Sequence, residues 1–117
     1  MTKEELKKRT KEFALDVIRL VDRFPHARAA NIIGQQLIKA ATSVGANCRS
    51  ACRAQSHAHF VHKINIVLEE ADESQYWLEV ILALNAGDED KVEPLLNEAN
   101  ELVAIFTSSI NTARKRK

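Results

Sequence analysis

At 117 residues the chain is long enough to bury one hydrophobic core and too short for two independent ones. Apolar residues make up 45% and charged residues 28%, ordinary globular proportions that argue against a disordered or membrane-embedded chain. Three Gly, two Pro, four Phe, one Trp and one Tyr leave too few turn signals and aromatics for a β-rich fold, so few and long elements are expected.

The opening Thr2 is followed three positions later by Glu5, a capping box, and then by Leu6, Phe13, Val17, Leu20 and Phe24 at helical spacing. This predicts a first helix over 3–23, closed by the turn that Pro25 imposes on Phe24. An alanine-rich stretch predicts a second helix over 29–55, with Ile33, Leu37, Ala40, Val44, Cys48 and Ala51 on one stripe. Ala41, Gly45 and Cys52 form a second, small-residue face that lets another backbone approach. Ser56 is a candidate N-cap for a third helix over 57–86, striped by Phe60, Ile64, Val67, Ala71, Ser74, Leu78 and Ile81 and closed by Gly87. Asp88, Glu89 and Asp90 put negative charge before a fourth helix over 91–113, whose regular part is expected to start near Glu93 because Pro94 suits only a first turn. Leu95, Ala99, Leu102, Phe106, Ile110 and Ala113 form its stripe, and a basic tail, 114–117, follows. Four amphipathic helices with short connections predict a single domain over 1–117, an antiparallel up-down-up-down four-helix bundle.

The stretch from Gln36 to Leu78 resembles the four-helix-bundle protein family encoded in 23S rRNA intervening sequences. The residues that carry the resemblance are Ser43-Val44-Gly45-Ala46-Asn47, Cys52-Arg53-Ala54-Gln55-Ser56, Phe60-Val61-His62-Lys63-Ile64 and Glu69-Glu70-Ala71-Asp72-Glu73-Ser74-Gln75-Tyr76-Trp77-Leu78. The first and last helices match in pattern, with Phe24-Pro25 at the turn. Ser50-Ala51 stands where many relatives carry Glu-Gly, which marks a different branch. The resemblance implies a ring-like homo-oligomer, a pentamer, with no enzymatic activity. A related retroelement accessory protein uses a basic surface to bind nucleic acid.

Cys48, Cys52, His57, His59 and His62 are ligand types that suit zinc, but Cys-x-x-x-Cys on a helix followed by His-x-His lacks finger spacing. They read as packing thiols, reduced in the cell, and a solvated helix start, so no metal and no cofactor is expected. Glu69, Glu70, Asp72, Glu73 and Glu79 lack the Glu-x-x-His pairs of a di-metal bundle. Instead one or two of these five carboxylates, with Glu69 and Glu73 the named candidates, are expected to face inward and meet Ser43, Asn47 or an arginine across the helix pair, fixing register or an interface, and Trp77 is expected to anchor packing. No nucleophile elbow and no phosphate loop occurs, so neither an enzyme nor a small-molecule substrate is expected.

The net charge of +1 hides a strong asymmetry. Residues 1–63 carry 12 Lys/Arg against 5 Asp/Glu, and residues 64–117 carry 5 against 11. Either basic and acidic helices pair at their rims, or a basic face meets nucleic acid, with RNA the leading partner. The candidate contacts are Lys39, Arg49 and Arg53, Lys7, Lys8, Arg9 and Lys11, and the tail Arg114, Lys115, Arg116 and Lys117. The rival class is a protein-binding assembly factor or a neutral passenger protein. Exposure or pairing of Arg49 and Arg53 discriminates between the two classes. No stretch reaches the roughly 18 apolar residues of a membrane span, and the charged start is no signal peptide, so the cytoplasm is expected.

Overall fold

The computed structural model describes residues 1–116, which form four α-helices and, among the described residues, no strand: α1 Lys3–Asp22, α2 Arg28–Cys52, α3 His57–Leu84 and α4 Glu89–Lys115. Three helices start where short polar side chains satisfy the free N–H groups of the first turn. Thr2 Oγ1 accepts from the Glu5 N–H at 3.1 Å and donates to Glu5 Oε1 at 3.0 Å, so the cap forms while the Glu5 carboxylate meets the Thr2 hydroxyl. Ser56 Oγ accepts from the His59 N–H at 3.1 Å, and Asp88 Oδ1 from the Asp90 N–H at 3.0 Å.

The helices pack as a four-helix bundle of 48 × 20 × 20 Å. Each helix lies against its neighbours in the chain, and α1 also touches α4, by far the sparsest of the four contacts. The predicted stripes fill the interior: Phe13, Val17 and Leu20 from α1, Leu37, Val44 and Cys48 from α2, Ile64, Val67, Leu78 and Ile81 from α3, and Leu95, Leu102 and Phe106 from α4, joined by Val92, which the predicted stripe omitted. Two buried hydroxyls close onto their own helix, Thr10 onto the Leu6 carbonyl at 2.8 Å and Ser74 onto the Glu70 carbonyl at 2.8 Å. Neither is therefore left as an unpaired polar group in the core.

Four details differ from the sequence expectation. The second helix ends at Cys52 rather than 55, because Arg53 turns the chain and bonds back to the Ser50 carbonyl at 3.1 Å. The third ends at Leu84 rather than 86, and the left-handed residue that closes it is Asn85, with φ 53°, not Gly87. Asn tolerates that conformation, and Gly87 serves a different purpose. A Cβ there would lie 3.1 Å from Phe24 and 3.2 Å from Val92, so the missing side chain lets the α3–α4 turn close over Phe24. The fourth helix runs from Glu89 to Lys115 instead of 91 to 113, with Pro94 inside it. The Asp88 cap and the acidic first turn hold the start, and Pro94 forgoes one bond, to the carbonyl of Asp90.

The thin α1–α4 seam is closed by an ion pair. Arg9 Nε donates to Glu98 Oε2 and Arg9 Nη2 to Glu98 Oε1, both at 2.6 Å, with Glu101 at 3.3 Å. Hydrogen bonding and charge from these carboxylates hold the Arg9 guanidinium well above its ordinary pKa. Arg9, grouped by sequence with its lysine neighbours as a ligand contact, is thus committed to the fold.

Candidate functional site

The apolar stripe of α1 turns Phe13, Val17 and Leu20 inward, which leaves Lys7, Lys8 and Lys11 along its flank. α1 runs against α2 at Gly45, where a Cβ would be in ordinary contact, 3.5 Å from the carbonyl oxygen of Thr10. Between the two helices runs an open groove of about 550 Å³, lined by Lys7, Lys8 and Lys11 on one wall and Arg49 and Arg53 on the other. Its floor is made of Ala14, Thr42, Gly45 and Ala46, and Glu4 is the one carboxylate on its rim.

Lys7 pairs with Glu4, Nζ to Oε1 at 2.8 Å. Lys8, Lys11, Arg49 and Arg53 make no ion pair among the described residues. All four are exposed. Lys7 and Lys11 stand one turn apart, as do Arg49 and Arg53, so each wall presents cations at a rise of about 6 Å. Such an array concentrates positive potential.

The other basic candidates are placed elsewhere. Arg114 lines a groove of about 530 Å³ with His57, Ala58, Val61, His62 and Asn65. Arg116 lies in a groove of about 330 Å³ with His57, Phe60, Ser108, Ser109 and Thr112. Lys115 is exposed at the last residue of α4, and Lys117 lies outside the described residues. Lys39 is exposed on α2 but near Glu70, away from the groove.

On the α2–α3 side, Asn47 Nδ2 donates to the carbonyl oxygen and to the Oγ of Ser43, both at 2.9 Å, one turn back on its own helix. The carboxylate that approaches this pair is Glu70, whereas Glu69 and Glu73 are exposed. Burial and the neighbouring Glu73 charge raise the Glu70 pKa, while the Ser43 hydroxyl and Lys39 pull it back. Trp77 packs half-buried against the core with Tyr76 edge-on at 5.1 Å, and its Nε1 is buried without a hydrogen-bond partner. Cys48 is buried beside Thr10 and Cys52, and desolvation pushes its thiol up to about 11. Among the described residues no three His, Cys, Asp or Glu side chains converge as a metal site would require.

Sequence reasoning assembled the cations but not their enclosure. The small residues around Gly45 mark where α1 runs against α2, but not that the lysines and arginines share one groove there. The role of Arg9 depends on a carboxylate 89 residues away, and no local pattern announces it.

Comparison with known proteins gives three findings. The family model described as 23S rRNA-intervening sequence protein matches residues 2–108. A crystal structure from Bacteroides thetaiotaomicron, of a protein with unknown function from the S23 ribosomal protein family, superposes with a TM-score of 0.85. It is 32% identical, and the match covers 95% of this chain and 99% of that one. No curated protein matches.

Proposed function

Because the chain belongs to the 23S rRNA-intervening sequence protein family, we propose that it is a non-catalytic, self-associating scaffold that binds RNA through the groove between α1 and α2. The observation that carries this reading is that Lys8, Lys11, Arg49 and Arg53 line one groove, exposed and without an acidic partner among the described residues. Cations that served only to bind the helices together would be engaged as Arg9 is.

The helices run antiparallel, up-down-up-down. The meeting of Lys7 with Arg53, of His57 with Thr112 and of Arg19 with Lys91 supports that course. It gathers residues 1–12, 41–70 and 102–116 at one end, with 11 Lys/Arg against 5 Asp/Glu, and residues 13–40 and 71–101 at the other, with 5 against 11. The molecule is then a charge dipole along its long axis, and the groove lies at the basic end.

Self-association into a ring, a pentamer by family resemblance, is supported by exposed apolar side chains on α2 and α3. Ile32 is 52%, Tyr76 56% and Leu84 59% exposed, and the unpaired Trp77 Nε1 sits on the same helix as the last two. A ring multiplies the groove, so modest charge per chain yields useful avidity. We place the protein in the cytoplasm, where Cys48 and Cys52 stay reduced; no described helix is long and apolar enough to cross a membrane.

The test is fluorescence anisotropy with a structured ribosomal RNA fragment at about 50 and 200 mM salt, alongside an Arg49→Glu/Arg53→Glu variant. Binding that falls steeply with salt and vanishes in a variant of unchanged native mass is expected. Absence of binding at low salt would overturn the RNA reading and leave a protein-only assembly.

A further inference from the structure

An RNA-binding surface is specialised by what it lacks as much as by what it carries. Proteins that hold single strands place aromatic side chains under the unpaired bases, so that each base gains by stacking. Readers of base edges place Asn, Gln or a bidentate Arg in an open groove of the nucleic acid, and the major groove of an RNA duplex is too deep and narrow for an arginine to read. The α1–α2 groove has no aromatic and no amide side chain. Phe13, Phe24 and Phe106 are buried in the core, Phe60 is half-buried against the tail of α4, and Tyr76 and Trp77 belong to α3, which does not touch α1. The floor is Ala14, Thr42, Gly45 and Ala46, side chains too short to hold a sugar-phosphate strand away from the two cationic walls. Arg49 and Arg53 stand about 6 Å apart along α2, and Lys8 and Lys11 about 4.5 Å apart along α1, near the separation of successive phosphates along a strand.

We infer that the groove takes the phosphate backbone of an RNA double helix, with Lys8 and Lys11 on one side of a strand and Arg49 and Arg53 on the other, and reads neither bases nor single-stranded ends. The inference rests on the RNA-binding reading above and narrows it. A duplex supplies the higher charge density, and a single strand gains nothing here from its exposed bases. Arg53 ends α2 only four residues before His57, whose two grooves hold Arg114 and Arg116. A rigid duplex seated between α1 and α2 therefore extends across the basic end toward the tail.

The experiment measures equilibrium binding of the purified full chain to a 20-base-pair RNA duplex, to the same duplex with scrambled sequence, and to an unstructured oligouridine of equal length. Both duplexes are expected to bind alike and about tenfold more tightly than the single strand at about 50 mM salt. Four phosphate contacts give a slope near −3.6 in log K against log salt, an affinity loss of about 150-fold between about 50 and 200 mM. Arg49→Gln/Arg53→Gln, exposed positions whose neutralisation leaves the core untouched, is expected to halve that slope, with circular dichroism reporting the fold. A single strand that binds as tightly as the duplex, or a scrambled duplex that binds tenfold worse, would overturn the inference while leaving RNA binding in place. Binding to none of the three would remove the RNA reading itself.

Discussion

The Arg9–Glu98 pair is the interaction whose removal is most informative about the fold, because it spans the one seam where the helices barely touch. Exposed ion pairs usually contribute about 0.2–1 kcal/mol, and two-pronged charge-assisted bonds are roughly twice as strong as neutral ones. Here the two side chains are only 25% and 24% exposed and both bonds are 2.6 Å, so solvent screens them incompletely. A coupling of about 1–1.5 kcal/mol follows, which for a domain of this size is a shift of about 4–6 °C in Tm. Urea unfolding of Arg9→Met, Glu98→Gln and the double variant gives the coupling as the departure from additivity. Glu101, at 3.3 Å, recovers part of the loss in Glu98→Gln and sets that value as a lower bound. A coupling under about 0.3 kcal/mol would show that packing alone holds α1 on α4.

Two glycine substitutions should move stability in opposite directions. Gly34→Ala places a Cβ 2.7 Å from Val21 Cγ1, a stiff β-branched neighbour, and is expected to cost about 1–3 kcal/mol in thermal unfolding. Gly45→Ala meets only ordinary contacts at 3.5 Å and is expected to gain about 0.5–1 kcal/mol from helix propensity. Glu70 has a raised pKa in the folded state, so its ionisation opposes folding. Stability is lost as pH rises through the folded pKa, and Glu70→Gln should therefore be more stable than the parent at neutral pH, with the difference closing in acid. A thiol pushed up to about 11 makes Cys48 roughly two orders of magnitude slower than an ordinary thiol toward a disulfide reagent at neutral pH. One thiol per chain, Cys52, should react quickly in the native protein and the second only on unfolding.

What was legible in the sequence was what is encoded locally. Thr2 with Glu5 and Ser56 with His59 announce helix starts because a cap and its first turn are a few residues apart. The α3 stripe from Ile64 to Ile81 repeats at helical spacing and is buried as expected. The misread ends have local causes that compete: Asn85 adopts the left-handed closing conformation two residues before the more obvious Gly87, and the Asp88 cap carries a helix through Pro94. At the candidate site, residue type and spacing pointed to the cations on α1 and α2, but their joint use is tertiary. The same run of four basic residues, Lys7 to Lys11, sends Arg9 to Glu98 and leaves Lys8 and Lys11 in the groove. Likewise, of the five carboxylates the sequence offered, Glu70 is the half-buried one beside Ser43 and Lys39 while Glu69 and Glu73 face solvent, a choice that helical spacing alone does not make.

The claim that the α1–α2 groove is the RNA face is tested most directly by lysine- and arginine-directed chemical modification of the chain with and without saturating RNA, mapped by mass spectrometry. Protection of Lys8, Lys11, Arg49 and Arg53, with a minor share at Arg114 and Arg116, is the result the account expects. Protection confined to Arg19, Arg23, Arg28 and Lys91 at the opposite end, or spread evenly over the surface, would contradict it.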